Sequence, residues 1–325
     1  MLEEGITEAG SMCSFISAGT TAANLGFSMI PFFIYYAMFG FQRIGDLIWA
    51  AGDIRAKGFL LGATAGRTTL NGEGLQHQDG HSHLAASTIP TLYAYDPAFA
   101  YEIAVIVWDG MKRMYEKGED VFYYITLYNE NLPMPAMPAG VEEGILQGLY
   151  RFKKGKAGPV KRAHLLASGP LVWEAIRAQE ILGTRYGVSA DVWSATNYKR
   201  LRAGALEAQR WNRLHPAETP RRSYVETLLE KEQGIFVATS DYMKALPEMI
   251  APWVPGGLTV LGTDGFGRSD TRANLRRFFE VDAESMVIAT LHSLQQKGHV
   301  KPAEVAQAIR DLKVDPEKSH PQFAL

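Results

Sequence analysis

The sequence predicts an α/β fold with mostly parallel sheet, divided into two units. Apolar runs of strand length alternate with amphipathic runs of helix length, which is typical of βα units. A chain of 325 residues with 46% hydrophobic content is long enough for two domains, each with its own core. Residues 131–140 carry three prolines and are the best boundary candidate. We therefore expect one unit over residues 1–135 and a second over residues 136–325.

The first unit opens on a strongly apolar segment. Residues 30–36 are hydrophobic without alternation, as expected for a parallel strand buried on both faces. Residues 41–57 follow as a helix with its apolar residues on one face, and Gly58 ends it. The other predicted elements here are a strand over 59–63, a helix over 96–117 with Ala100, Ile103, Ala104, Val107 and Met111 inward, and a strand over 121–126.

The second unit repeats the alternation of strands and helices. Its predicted strands are 163–168, 189–195, 235–239 and 258–262, and its predicted helices are 171–186, 220–230, 241–251, 271–279 and 283–297. Asp241 stands between a strand and a helix, which favours a helix N-cap over a ligand. Residues 263–267 are glycine-rich, but they lack the lysine and spacing of a phosphate loop, which argues against nucleotide binding there. The short basic run 153–156 is expected to be a solvated turn.

Composition and charge exclude several classes of function. The 33 basic and 35 acidic residues nearly cancel, so charge gives no support for binding nucleic acid or an anionic membrane. The most apolar run, 27–41, is interrupted by Pro31 and Gly40 and is shorter than the roughly 18 to 20 apolar residues that span a bilayer. The first residues lack the order of a secretory signal. The single cysteine, Cys13, allows no internal disulfide, fits a reducing cytoplasm, and is expected to be a small packing residue.

One polar segment, residues 68–83, concentrates the chemistry of the chain. It follows a predicted strand, which is where open α/β sheets bind ligands. Its glycines allow close approach of a ligand to the backbone, and histidine changes charge most readily near neutral pH. A polar loop whose histidines only hydrogen bond to the backbone would also account for this segment. A third interpretation is a metal site, although structural zinc usually recruits paired cysteines. The titratable residues of the segment, which would supply the metal ligands in the third interpretation, are Glu73, His77, Asp79, His81 and His83.

Several long motifs, in series, resemble the homodimeric bacterial pyruvate dehydrogenase E1 component family. The resemblance runs almost end to end, which makes coincidence very unlikely. The segments that carry it are residues 2–10, 29–43, 72–83, 95–99, 129–131, 211–221, 261–270 and 279–282.

The resemblance implies the thiamine diphosphate superfamily that includes transketolase, with two three-layer units. Residues 1–135 resemble most of the pyrimidine-binding domain, and residues 136–325 resemble the C-terminal domain. The Gly-Asp-Gly and paired-asparagine signature that holds Mg²⁺ and the diphosphate is absent from the sequence. We therefore expect the metal ligands on another domain, with this chain a split-gene subunit, a truncation or a fragment.

The resemblance also assigns roles to individual residues. Glu8 matches the glutamate that hydrogen bonds N1′ of the aminopyrimidine, and Tyr36 and Phe39 match aromatic positions around that ring. Arg43, on the same stretch, is expected to bind the cofactor too. Glu73 and His77 match polar groups at the reacting end, where His77 would orient substrate or move a proton; Asp79, His81 and His83 are expected to line the same entrance. Without the resemblance, Glu8 would be taken for a helix N-terminal carboxylate and the aromatic residues for core.

The expected activity is therefore that of the family. It is oxidative decarboxylation of pyruvate with acetyl transfer to the lipoyl group of the E2 partner, by a cytoplasmic homodimer using thiamine diphosphate and Mg²⁺. The alternatives are another 2-oxo acid dehydrogenase, a transketolase-like transferase, or an inactive interaction module.

Overall fold

The structure is a computed structural model, and it describes residues 1–156, 158 and 161–324. Within these residues no helix is both long enough and apolar enough to cross a bilayer. Two separate sheets organise the chain, and each has helices on both faces. The fold is therefore α/β with two three-layer units, as predicted.

The first unit is built on a four-stranded sheet. In chain order its elements are α1 (Glu8–Gly19), α2 (Thr21–Leu25), β1 (Phe32–Tyr36), α3 (Ala37–Asp53), β2 (Phe59–Ala63), α4 (Ser82–Ala86), β3 (Leu92–Tyr95), α5 (Ala100–Met111) with a π-helical turn at Lys112–Glu116, and β4 (Phe122–Thr126). The four strands are parallel and lie in the order β1-β2-β4-β3. Helices α1, α3 and α4 cover one face of the sheet, and α5 covers the other.

The second unit is built on a five-stranded sheet. The elements are α6 (Glu142–Gln147), β5 (Tyr150–Lys153), β6 (Lys161–Ala167), α7 (Leu171–Arg185), β7 (Val188–Ser194), α8 (Tyr198–Leu214), α9 (Tyr224–Leu229), β8 (Ile235–Thr239), α10 (Ala245–Glu248), a 3-10 turn at Ala251–Trp253, β9 (Leu258–Leu261), α11 (Arg272–Phe278), α12 (Ala283–Gln296) and α13 (Pro302–Asp311). The strands lie in the order β5-β7-β6-β8-β9, and all are parallel except β5, which runs antiparallel to β7. Helices α7, α12 and α13 cover one face of the sheet, and α8, α9 and α10 cover the other.

Strand β1 differs from its prediction in burial. It is parallel, as expected, but it lies at the sheet edge, and Phe32 and Ile34 are 48% and 63% exposed. The prediction of a strand buried on both faces was therefore wrong for this chain. An apolar run reports that a face is hydrophobic, and it does not report what covers that face.

Further predictions of local structure need correction. Helix α3 begins four residues before its predicted start, because residues 37–40 turn directly out of β1. On α5 the buried residues are Glu102, Ile106 and Gly110, whereas Ala100 and Ala104, which were predicted to face inward, are exposed. Cys13 is exposed rather than packed, since Met12 and Phe15 take the buried face of α1.

The two units meet through polar contacts that hold the segment 64–80. Asp241 is fully buried, and it accepts hydrogen bonds from the backbone and hydroxyl groups of Thr68 and Thr69. It is therefore not the N-cap of the following helix, which begins only at Ala245 with Lys244 as its cap residue. Gly66 has φ +85, and a Cβ atom there would lie 2.2 Å from Oδ2 of Asp241, so glycine is required for this contact.

Candidate functional site

Glu8 is the first residue of α1, and this position accounts for its local structure. Thr7 caps the helix by accepting a hydrogen bond from the N–H of Gly10 at 3.3 Å. A carboxylate in the first turn is favoured by the helix dipole. The side chain then reaches Arg43 on α3, whose Nη1 donates to Oε1 of Glu8 at 2.9 Å. Glu8 therefore combines a position at the helix N-terminus with a contact to α3.

An aromatic cluster forms where β1 passes into α3. The ring of His77 lies edge-on to Tyr36 and to Phe39, with centroid separations of 5.4 and 5.1 Å. Tyr36 and Phe39 are themselves 5.9 Å apart. The guanidinium carbon of Arg43 lies 4.1 Å from the centroid of the Phe39 ring, a cation–π contact. These residues are far apart in sequence from His77, and the loop after β2 brings them together.

These side chains line one open cleft of about 450 Å³. Its wall combines apolar rings with a carboxylate, a guanidinium and an imidazole, the mixture expected of a site for a planar, partly polar ligand. The cleft contains five of the six predicted site residues, namely Glu8, Tyr36, Phe39, Arg43 and His77, together with residues from 5–11, Phe33, Ile34, Tyr35 and Gln76.

Glu73, the sixth predicted residue, lies beside the cleft. One of its carboxylate oxygens is 3.5 Å from Nδ1 of His77. That separation is too long for a well-formed hydrogen bond, and Nδ1 of His77 is buried with no hydrogen-bond partner among the described residues. Nδ1 therefore faces Glu73 inside the protein, while the ring of His77 forms part of the cleft wall.

Asp79 and His83 lie behind the cleft wall, not on it. Asp79 is fully buried, and its Oδ1 accepts hydrogen bonds from the N–H groups of His81 and Ser82 at 2.9 Å, which caps α4. His83 is buried against Thr126, with 3.1 Å between Nε2 and Oγ1. Burial lowers the pKa of His83, against an opposing effect of Asp96 and Asp79, so its ring stays neutral near pH 7.

His81 lies in a different environment from His77 and His83. Its Nε2 lies 3.1 Å from Nε2 of Gln42 on α3, at the side of the cleft. His77, His81 and His83 therefore do not converge, and the metal geometry considered from the sequence does not form among the described residues.

A different group, His164, Asp191 and Glu232, places three ligand atoms within 4.8 Å of one another. Both nitrogens of His164 are already used: Nδ1 accepts from the Trp193 indole at 3.2 Å, and Nε2 donates to the Gln233 carbonyl at 3.0 Å. Arg151 pairs with both carboxylates. The candidate ligand atoms of this group are therefore already engaged in a network of ion pairs and hydrogen bonds.

Hydrogen bonds from the second unit support the loop that carries His77. The buried guanidinium of Arg67 donates to the carbonyls of Thr263 and Gly265. The amide of Gln78 bonds to the backbone of Leu70 on one side and of Arg268 on the other. Sequence reasoning missed Arg67 and Gln78, because their partners lie up to 198 residues away and leave no local pattern.

Comparison with known proteins identifies the family. Residues 1–135 match the family model described as the pyruvate dehydrogenase E1 component middle domain, and residues 148–282 match the transketolase-like C-terminal domain. The pyruvate dehydrogenase E1 component of Pseudomonas aeruginosa is 53% identical over 99% of the chain, and that of Escherichia coli is 51% identical over all of it. The chain belongs to the pyruvate dehydrogenase E1 family. It spans 36% of the length of either relative.

Solved structures agree on the fold of this E1 chain. Transketolase from Leishmania mexicana superimposes with a TM-score of 0.67 at 17% identity, over 90% of this chain and 37% of that one. A structure described as a split gene transketolase, inactive beta4 tetramer, gives 0.62 at 18% identity, over 90% of this chain and 83% of that one. At such identities the likeness supports the transketolase-like fold alone.

Proposed function

We propose that this chain supplies the aminopyrimidine-binding half of a thiamine diphosphate site in a pyruvate dehydrogenase E1 component. The complete enzyme would decarboxylate pyruvate oxidatively and transfer the acetyl group to the lipoyl group of an E2 partner. The observation that carries the proposal is the single cleft that gathers Glu8, Tyr36, Phe39 and His77 from three separate segments. Family membership at about half identity supports the same activity.

The cleft fits an aminopyrimidine ring. Its aromatic wall suits a flat heterocycle, and Glu8 places a carboxylate at the edge of the cleft, where a ring nitrogen needs a proton-sharing partner. When bound, thiamine diphosphate supplies a carbon nucleophile and an electron sink. In this scheme Glu8 holds the proton at N1′, and Tyr36 and Phe39 fix the plane of the ring.

His77 and Glu73 would act at the substrate end. The imidazole of His77, which lines the cleft, would donate to or accept from pyruvate, and Glu73, 3.5 Å from its buried Nδ1, would orient the ring. The loop position of His77 is fixed by the second unit through Gln78 and Asp241. Residues 136–325, which we propose as a separate domain, would therefore hold the loop that carries His77 in place.

We propose that Mg²⁺ and the diphosphate are held by a domain that this sequence does not contain. The support is the absence of the diphosphate signature together with the 36% share of the relatives' length. The chain would act as a homodimer in the cytoplasm, in keeping with its single cysteine. A second candidate is an inactive assembly module, and the absence of the diphosphate signature from the sequence favours it.

Complementation tests the proposal. The purified chain is mixed with the part of the P. aeruginosa relative that precedes the matched region, and pyruvate-dependent acetylation of a lipoyl domain is measured with thiamine diphosphate and Mg²⁺. We expect activity from the mixture and none from either part. The same experiment with the corresponding C-terminal part of the relative is the positive control. Activity in that control, with none from this chain despite a stable complex, would favour the inactive module.

A further inference from the structure

A groove in the second unit, between α8 and the segment 215–222 that precedes α9, concentrates basic side chains. Residues 199–222 hold seven lysines and arginines against two glutamates, although the whole chain has a net charge of −2. The groove has a volume of about 190 Å³, and Arg200, Arg221 and Arg222 line it. Among the described residues it shares no lining residue with the cleft that contains Glu8 and His77. The groove is therefore a second concave site with a chemistry of its own.

Two of the three guanidinium groups are not neutralised by a carboxylate. Arg222 forms an ion pair with Glu230. No carboxylate oxygen of the described residues lies within 4.0 Å of a side-chain nitrogen of Arg200 or Arg221. Glu207 is the one acidic residue among the described residues of the lining. The lining therefore carries a net positive charge, which favours an anion in the groove.

The position of Arg221 is fixed by contacts that leave its N–H groups available. The side chain of Asn212 on α8 accepts a hydrogen bond from the backbone N–H of Arg221 at 2.7 Å and donates to its carbonyl at 2.9 Å. The guanidinium carbon of Arg221 lies 4.0 Å from the centroid of the Trp211 ring, a cation–π contact. These contacts hold the segment against α8 without using the edge of the guanidinium, which is the part that binds oxyanions.

We propose that this groove binds the phosphate group of a small phosphorylated metabolite. A phosphate monoester carries a charge of about −1.5 to −2 near pH 7 and offers three acceptor oxygens, which matches two unpaired guanidinium groups. A monocarboxylate brings one charge and two oxygens, and so matches one of them. The α8 wall contains Gly204 and Ala208, and the groove is smaller than the roughly 300–1,000 Å³ of pockets for drug-sized ligands. It therefore suits a phosphate group with few further atoms.

The test is an NMR titration of the 325-residue chain at pH 7.5 and low ionic strength, since salt screens such contacts. The reporter is the indole N–H signal of Trp211, assigned by its loss in Trp211→Phe. The probes are glycerol 3-phosphate, inorganic phosphate, glycerate and glycerol. The variants are Arg200→Met and Arg221→Met. Arg202→Met and Arg213→Met are the charge-matched controls, because these arginines are exposed on α8 and do not line the groove.

We expect saturable binding of glycerol 3-phosphate, weaker binding of glycerate and none of glycerol. Arg200→Met and Arg221→Met should each weaken the binding of glycerol 3-phosphate by about five- to tenfold, the scale of a lost charged hydrogen bond at a partly exposed site. Arg202→Met and Arg213→Met should bind as wild type does.

The comparison of the two phosphates identifies the source of the phosphate group. Tighter binding of glycerol 3-phosphate than of inorganic phosphate supports an organic phosphate, and equal binding supports a phosphate site that takes the free ion. Three results overturn the inference: no saturation by either phosphate, binding of glycerate as tight as that of glycerol 3-phosphate, or the same affinity change in the control variants as in Arg200→Met and Arg221→Met.

Discussion

The backbone N–H and the hydroxyl of Thr69 both donate to Oδ2 of Asp241, at 3.1 and 2.6 Å. Thr68 makes the equivalent pair of contacts to Oδ1 at 2.8 and 2.7 Å. One buried carboxylate of the second unit therefore fixes the start of the loop that carries His77 in the first unit.

Removal of this carboxylate is expected to destabilise the chain strongly. Asp241→Ala leaves four buried donors without an acceptor, and we expect a loss of about 3 kcal/mol in the free energy of unfolding. Thr69→Val removes a single hydroxyl contact and should cost about 1 kcal/mol. Urea denaturation measures both. Equal losses in the two variants would show that Asp241 does not organise the loop.

Two buried histidines predict acid sensitivity. Burial lowers the pKa of His83 and of His164, so the unfolded chain takes up these protons before the folded chain does. Stability is therefore fully present above the unfolded pKa of about 6.5, and it falls as the pH drops through and below that value.

Each histidine contributes a slope of at most about 1.4 kcal/mol per pH unit. Unfolding free energies at pH 7.5, 6.5 and 5.5 should show a smaller acid loss in His83→Asn and in His164→Asn than in wild type. His292→Asn, an exposed control, should keep the wild-type slope. An unchanged slope in both buried-site variants contradicts the assignment.

His77 and His81 are expected to differ in function because only His77 lines the cleft. In the complemented enzyme, His77→Ala should reduce acetyl transfer by about a hundredfold, the scale of a lost acid–base group. His81→Ala should change it only a few-fold, since its ring contacts Gln42 outside the cleft wall. Elemental analysis accompanies the assay: one zinc per chain, lost in either variant, would restore the metal hypothesis.

The exposed edge of the first sheet predicts self-association. Leu25, Phe27, Phe32 and Ile34 are 65%, 54%, 48% and 63% exposed, on adjoining segments of the chain. Apolar groups exposed in this way favour contact with a partner. Light scattering should show dimers or larger species for wild type and a smaller mass for Phe27→Lys. Leu214→Lys, at an exposed leucine of the second unit, is the control. A monomer at all concentrations would contradict the prediction.

The elements whose limits were predicted correctly are apolar runs with clearly marked ends. Strands β2 and β8 match their predicted limits, because each apolar run is bounded by polar or glycine residues. Helix α8 was missed, since its buried residues are only Tyr198, Leu201, Ala205 and Ala208 in a strongly polar segment. The face of α5 was misassigned because apolar residues surround the helix, and the buried Glu102 carries the polar contacts to Tyr150 and Ser194.

The candidate site was predictable only in part. The local sequence pattern identified the polar loop after β2. The family resemblance selected His77 within that loop, and Glu8, Tyr36 and Phe39 before it. The pairing of Arg43 with Glu8 spans 35 residues, and the contact of Thr69 with Asp241 spans 172. Such contacts depend on how helices pack within a unit and how the two units meet, and the spacing of residues in the sequence does not report either.

We propose that Glu8 activates thiamine diphosphate, and the rate of proton exchange at C2 of the cofactor measures this activation. The measurement compares Glu8→Gln with Glu3→Gln, an exposed neighbour, in the complemented enzyme. We expect exchange to slow by about a hundredfold or more in Glu8→Gln, because the amide cannot hold the proton at N1′, and to stay at the wild-type rate in Glu3→Gln. An unchanged exchange rate in Glu8→Gln, with the cofactor bound, would show that Glu8 does not activate it.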